Sequence, residues 1–165
     1  MGEINRFFKK KIKYEGRFNE KDIFDFLKIW GKDFGYRLTE TERKHLSKDK
    51  TYSYTVKIDG EKKINDYCKI IPKFKLSFED CEPAIVKKGE QKESFTKGKI
   101  KISIKADLES DYNKVWEDTA GKTLIRAFMH KYVMHSDLSK FEKIAKHELK
   151  QLEKTFGAYL NLHNL

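Results

Sequence analysis

At 165 residues, with 38% apolar and 13% aromatic side chains, the chain is long enough to bury one core and too rich in rings for a disordered tail. Two Pro and nine Gly exclude a low-complexity linker, and two Cys exclude a disulfide framework. Lys and Arg outnumber Asp and Glu by 36 to 26, and the resulting charge of +10 favours anionic partners without dictating a fold.

Only five of the basic residues are Arg (Arg6, Arg17, Arg37, Arg43 and Arg126), and their scarcity argues against a sequence-specific reader of bases. Richness in Lys, Ile and Phe also fits an AT-rich genome or a hot habitat. Cys68 and Cys81 form no CxxC pair, which suits two buried thiols in a reducing cytosol. No apolar signal core follows Met1 and no run approaches a transmembrane segment, so a soluble cytoplasmic protein is expected. Gly2 lacks the Ser or Thr that a myristoylation signal wants at the position of Arg6.

Phe8–Tyr14 reads as an opening strand, with Phe8, Ile12 and Tyr14 inward and Lys9, Lys11 and Lys13 outward; Lys10 interrupts the inward face. Asn19 then caps a helix whose Ile23, Phe24, Phe26, Leu27, Trp30 and Phe34 form one apolar stripe, and Gly35 ends it. From Tyr36 to Leu108 the pattern is that of antiparallel strands. Tyr52, Tyr54, Val56 and Ile58 alternate with polar residues up to Asp59-Gly60, a strong hairpin signal. The return strand runs on, bent near Asp66, through Ile70, Phe74, Leu76 and Phe78, and Pro72 suggests an edge or a bulge. Glu79, Asp80 and Glu82 read as a turn, and another turn lies near Lys88-Gly89-Glu90. Gly98–Leu108 is the clearest strand: Ile100, Ile102, Ile104, Ala106 and Leu108 share one face, and Lys99, Lys101, Ser103, Lys105 and Asp107 the other.

Beyond Asp111-Tyr112 the period becomes helical. Leu124, Ile125, Phe128, Tyr132 and Val133 make one stripe, and Ser139-Lys140-Phe141-Glu142 reads as a capping box for a last, long amphipathic helix. The parts make one α+β domain over residues 1–165. It has two layers, an antiparallel meander sheet with one N-terminal helix and two C-terminal helices. The helix-grip fold, a curved sheet around a long C-terminal helix, is one familiar way to assemble them, and fold analogy alone carries no function.

Catalytic motifs are wanting. Ala120-Gly121-Lys122-Thr123 lacks the first Gly of a P-loop, whose place Trp116 takes, and reads as a helix start. His45, His130, His135, His147 and His163 have no metal-ligand spacing, and no nucleophile elbow is present. Asp107, Glu109, Asp111, Glu117 and Asp118 flank the end of the clearest strand, where structural use is the simpler reading. The residues therefore point to no catalytic group, metal or cofactor.

The lysine comb is the one patterned feature with a role to offer. Lys9, Lys11, Lys13, Lys73, Lys75, Lys99, Lys101 and Lys105, with Lys57, fall on the wet sides of strands that would share a sheet. Such a face invites RNA, DNA or an acidic lipid surface, although the same lysines also keep an open sheet soluble and discourage edge pairing. No aromatic on that face offers itself for base stacking.

Several marks along nearly the whole chain also resemble, in their order, a group of small, mostly archaeal proteins without an assigned activity. They are Trp30 with Gly35-Tyr36, Lys63 through Asp66-Tyr67, Lys97-Gly98-Lys99, Asp111-Tyr112, Trp116, Lys131-Tyr132 and Leu160-Asn161-Leu162. The resemblance implies an archaeal intracellular protein and transfers no catalytic residue. The expected function is non-enzymatic binding of nucleic acid or a ribonucleoprotein through the lysine face. The alternative is a helix-grip carrier of an apolar small molecule or lipid in a cavity under the C-terminal helix.

Overall fold

A computed structural model describes residues 3–65, 67–110 and 135–163. Their order is β1 (Glu3–Phe18), α1 (Glu20–Phe34), β2 (Arg37–Ser47), β3 (Tyr52–Lys63), β4 (Cys68–Lys88), β5 (Gln91–Ser110) and α2 (His135–His163). All five strands form one antiparallel sheet in the order β1-β5-β4-β3-β2. The α+β class expected from the periodicities is therefore found. The stripe expected over Leu124–Val133, the Gly121-Lys122-Thr123 loop, Trp116 and Asp66 lie outside the described residues.

The helix counted as N-terminal follows the opening strand β1 and does not precede the sheet. The topology corrects the expectation of a plain meander. Only β2 to β5 run as a meander, and β1 adds to the far side of β5. A plain meander would seat β1 beside β2, and the β1–α1–β2 connection instead carries the chain from one edge of the sheet to the other. Asn19 caps α1 through Oδ1, which accepts from the Lys21 amide at 3.0 Å, and Gly35 closes it at φ 79°, a left-handed conformation that suits Gly.

The Asp59-Gly60 signal does not make a hairpin. Both residues lie inside β3, where Gly60 pairs with Leu38 of β2. A Cβ on Gly60 would come within 2.7 Å of Pro72 Cγ and 2.8 Å of Leu38 Cδ2, so the missing side chain serves close packing. Gly60→Ala is expected to destabilise the fold by about 1–3 kcal/mol, seen as a lower urea midpoint at unchanged m-value. The reversal comes later. Asn65 Oδ1 accepts from the amides of Tyr67 and Cys68, both at 2.8 Å, an Asx turn that starts β4.

Pro72 is neither at an edge nor in a bulge, since β4 is the middle strand. It sits where pairing between β3 and β4 lapses, between Asp59↔Lys73 and Lys62↔Ile70, and there a missing N–H costs no ladder bond. Glu79, Asp80 and Glu82 mark a β-bulge within β4 and not a turn, and Asp80 takes φ 51°. The turn near Gly89 stands as expected, Gly89-Glu90 joining β4 to β5. Ser139 does not cap the last helix, which already runs from His135.

The core lies between the inner face of the sheet and the two helices. Ile100, Ile102, Ile104, Ala106 and Leu108 of β5 are all buried, with Phe74, Leu76 and Phe78 of β4 beside them. From the helices come Ile23, Leu27 and Trp30 and then Ala145, Leu149, Leu152 and Phe156. Polar links hold the helices in place: the Trp30 indole donates to the Glu148 carbonyl at 2.9 Å and the Tyr159 hydroxyl to Asp22 at 2.9 Å. The helices cover the inner face, and among the described residues no element covers the outer face of the sheet.

Candidate anion-binding surface

Residues directly paired across neighbouring strands point to the same face, so the register decides whether the lysines meet. Across β1, β5 and β4 three successive rows read Lys9–Lys105–Lys73, Lys11–Ser103–Lys75 and Lys13–Lys101–Ser77. Seven of the eight predicted lysines therefore stand in one block with two serines and no carboxylate. Strands lie about 4.8 Å apart and alternate residues of one strand about 6.8 Å, so the nine positions cover roughly 10 by 14 Å.

The borders of the block are charge-balanced. At one end Arg6 grips Asp107 with two bonds of 2.8 and 3.2 Å, and Lys73 Nζ lies 3.7 Å from the same carboxylate. These cations close over Asp107, which is only 3% exposed on a wet face. At the other end Lys101 reaches Glu79 at 3.3 Å. Lys99, the eighth predicted lysine, belongs to this end: its row is Glu15–Lys99–Glu79, outside the acid-free block. On the third side Lys57 leans away to Glu42, at 2.9 Å. The fourth side is β1 itself, an edge strand among the described residues.

Five lysines of the block, Lys9, Lys11, Lys13, Lys75 and Lys105, have no carboxylate within ion-pair reach among the described residues. Lys9–Lys105, Lys73–Lys105, Lys13–Lys101 and Lys57–Lys75 stand directly opposite each other. Each such pair costs a few tenths to about 1 kcal/mol. The crowding bears on Lys105, whose pKa is lowered, first by Arg6 and then by partial desolvation and by Lys9, Lys11 and Lys75.

A groove of about 300 Å³ opens in the block between the lysine stems, with Ser103 and Ser77 in its lining. Neither serine figured among the predicted site residues, although Lys101-x-Ser103-x-Lys105 is plain in the sequence. What the sequence lacked was the pairing that sets Lys11 and Lys75 on either side of Ser103.

The other constellations have structural partners. Of the acidic residues near the end of β5, Asp107 is held by Arg6 and Lys73, and Glu109 lies 3.6 Å from Lys69; Asp111, Glu117 and Asp118 fall outside the described residues. His45 stacks beside Tyr52 and Tyr54, and His147 bonds Gln151 at 2.9 Å. Among the described residues no three His, Cys, Asp or Glu side chains gather as a metal site. Cys68 and Cys81 are buried, and burial pushes their thiols up to about 11 and about 12, which makes them poor nucleophiles near neutral pH. On the inner side a groove of about 400 Å³ lies between α1 and β2/β3, lined by Phe24, Leu27, Leu38 and Ile58 with charged residues at its rim. No described helix is long and apolar enough to cross a membrane. No protein-family model matches the chain, and no curated protein matches it.

Proposed function

We propose that the protein binds an anionic macromolecule, nucleic acid or a ribonucleoprotein, across the outer face of β1, β5 and β4, and catalyses no reaction. One observation carries this reading: seven lysines share an acid-free block, five of them without an ion-pair partner among the described residues. A face kept wet only for solubility gains from interspersed signs, whereas this block keeps one sign against its own repulsion. Mechanistically, each ammonium that meets a phosphate releases a condensed counterion, and affinity follows the number of contacts more than the base sequence. A sheet backed by a long C-terminal helix is in keeping with a helix-grip layout. The carrier function suggested by that layout would need a hollow beneath α2, whose Ala145, Leu149, Leu152 and Phe156 are buried against the sheet.

Fluorescence anisotropy of mixed-sequence single-stranded RNA and DNA, from about 0.05 to about 0.2 M salt, tests the proposal. Engagement of four to six phosphates gives a slope of log K against log salt of roughly −3 to −4, with little difference between sequences. No binding at the lowest salt would contradict it.

A further inference from the structure

We infer that Ser103 and the four lysines around it form a seat for one terminal phosphate, a phosphomonoester carried by the ligand; the inference rests on the anionic-surface reading and narrows it. Ser103 is flanked across the strands by Lys11 and Lys75 and along β5 by Lys101 and Lys105. A serine side chain stops at Oγ, while each lysine continues several bonds farther. The ring therefore stands above the serine and walls the groove of about 300 Å³. Ser103 Oγ has no hydrogen-bond partner among the described residues and is free to donate from the floor.

The shape and the charge favour a terminal phosphate over a backbone diester. A diester has two of its four oxygens tied to sugars, and both neighbouring nucleotides would have to follow it down among the lysine stems. A monoester brings three free oxygens and a charge of about −1.5 to −2 on a single attachment. Three of the four surrounding lysines, Lys11, Lys75 and Lys105, have no carboxylate of their own to displace, and only Lys101 is shared with Glu79. Charge-assisted bonds of this kind are about twice as strong as neutral ones.

The test compares paired carriers differing only in the phosphate: a 5′-phosphorylated against a 5′-hydroxyl oligonucleotide, and vesicles containing phosphatidic acid against vesicles containing phosphatidylglycerol. Inorganic phosphate serves as competitor. The wild-type protein is expected to prefer a monoester carrier by about tenfold or more, and inorganic phosphate should compete. Ser103→Val, which raises the groove floor without changing charge and suits a strand, should abolish the preference. Ser103→Ala should weaken the preference in part. Preference for the oligonucleotide alone assigns a nucleic-acid end, preference for the vesicle alone a lipid headgroup, and tight inorganic phosphate a small phosphorylated molecule. A wild-type protein with no monoester preference, or a Ser103→Val protein that keeps it, overturns the seat. Absence of salt-dependent binding of the 5′-hydroxyl oligonucleotide would instead count against the wider surface.

Discussion

Changing Lys9, Lys11, Lys75 and Lys105 together to Gln is expected to weaken binding of single-stranded nucleic acid roughly 10²–10³-fold at low salt. The slope of log K against log salt should flatten by about 3, since each lost phosphate contact removes about 0.7. These four residues are without carboxylate partners among the described residues, so their charge is available to a ligand in full. The same substitutions end the Lys9–Lys105, Lys73–Lys105 and Lys57–Lys75 confrontations. The variant should therefore fold more stably, by about 1–2 kcal/mol, while it binds worse. A number-matched change of Lys28, Lys143, Lys150 and Lys154, all exposed on the helical side, should leave binding within a few-fold. Equal losses in the two variants would mean that net charge, and not this face, is what the ligand meets.

The second large effect concerns Glu148, a buried carboxylate of α2 that is 6% exposed. Its Oε2 accepts from the Tyr36 hydroxyl at 2.8 Å, its Oε1 meets Lys62 Nζ at 3.3 Å, and its carbonyl takes the Trp30 indole. Lys62 also lies over the Tyr36 ring, 5.0 Å from its centroid, and Tyr36 stacks on Trp30. One residue of α2 thus binds α1, the residue that leads into β2 and the end of β3. Glu148→Leu would leave the Tyr36 hydroxyl without its acceptor and Lys62 without its partner, at a cost of about 3–5 kcal/mol. For a domain of this size that corresponds to a fall in Tm of about 6–20 °C. Glu148→Gln keeps an acceptor for Tyr36 and should lose about 1–2 kcal/mol. Thermal unfolding followed by circular dichroism separates the two. A Glu148→Leu protein as stable as the wild type would show that apolar packing alone holds α2 on the sheet.

The elements that could be read from the sequence are those whose signal is local. The alternation from Ile100 to Leu108 became β5 with every inward residue buried, and Lys9, Lys11 and Lys13 point outward from β1 as their spacing requires. Asn19 and Gly35 bound α1 because a cap acts within one turn. What could not be read is set by long-range pairing. Nothing near Lys11 announces that it will stand beside Ser103 of β5, since that follows from α1 crossing the sheet and leaving β1 on the far side. Asp59-Gly60 misled for a related reason: its usual use in hairpins was overridden by Leu38 and Pro72, which need the space a side chain would fill. Lys99 was grouped with the other lysines by period alone, and the register sets it between Glu15 and Glu79.

The central claim is that the ligand lies on the outer face of β1, β5 and β4, and lysine acetylation footprinting addresses it most directly. The protein is labelled with and without saturating single-stranded nucleic acid at low salt, and modification is read at each lysine by mass spectrometry. The proposed interface predicts strong protection of Lys9, Lys11, Lys75 and Lys105, and unchanged labelling of Lys28, Lys143, Lys150 and Lys154. Uniform protection, or protection confined to the helical side, would contradict it.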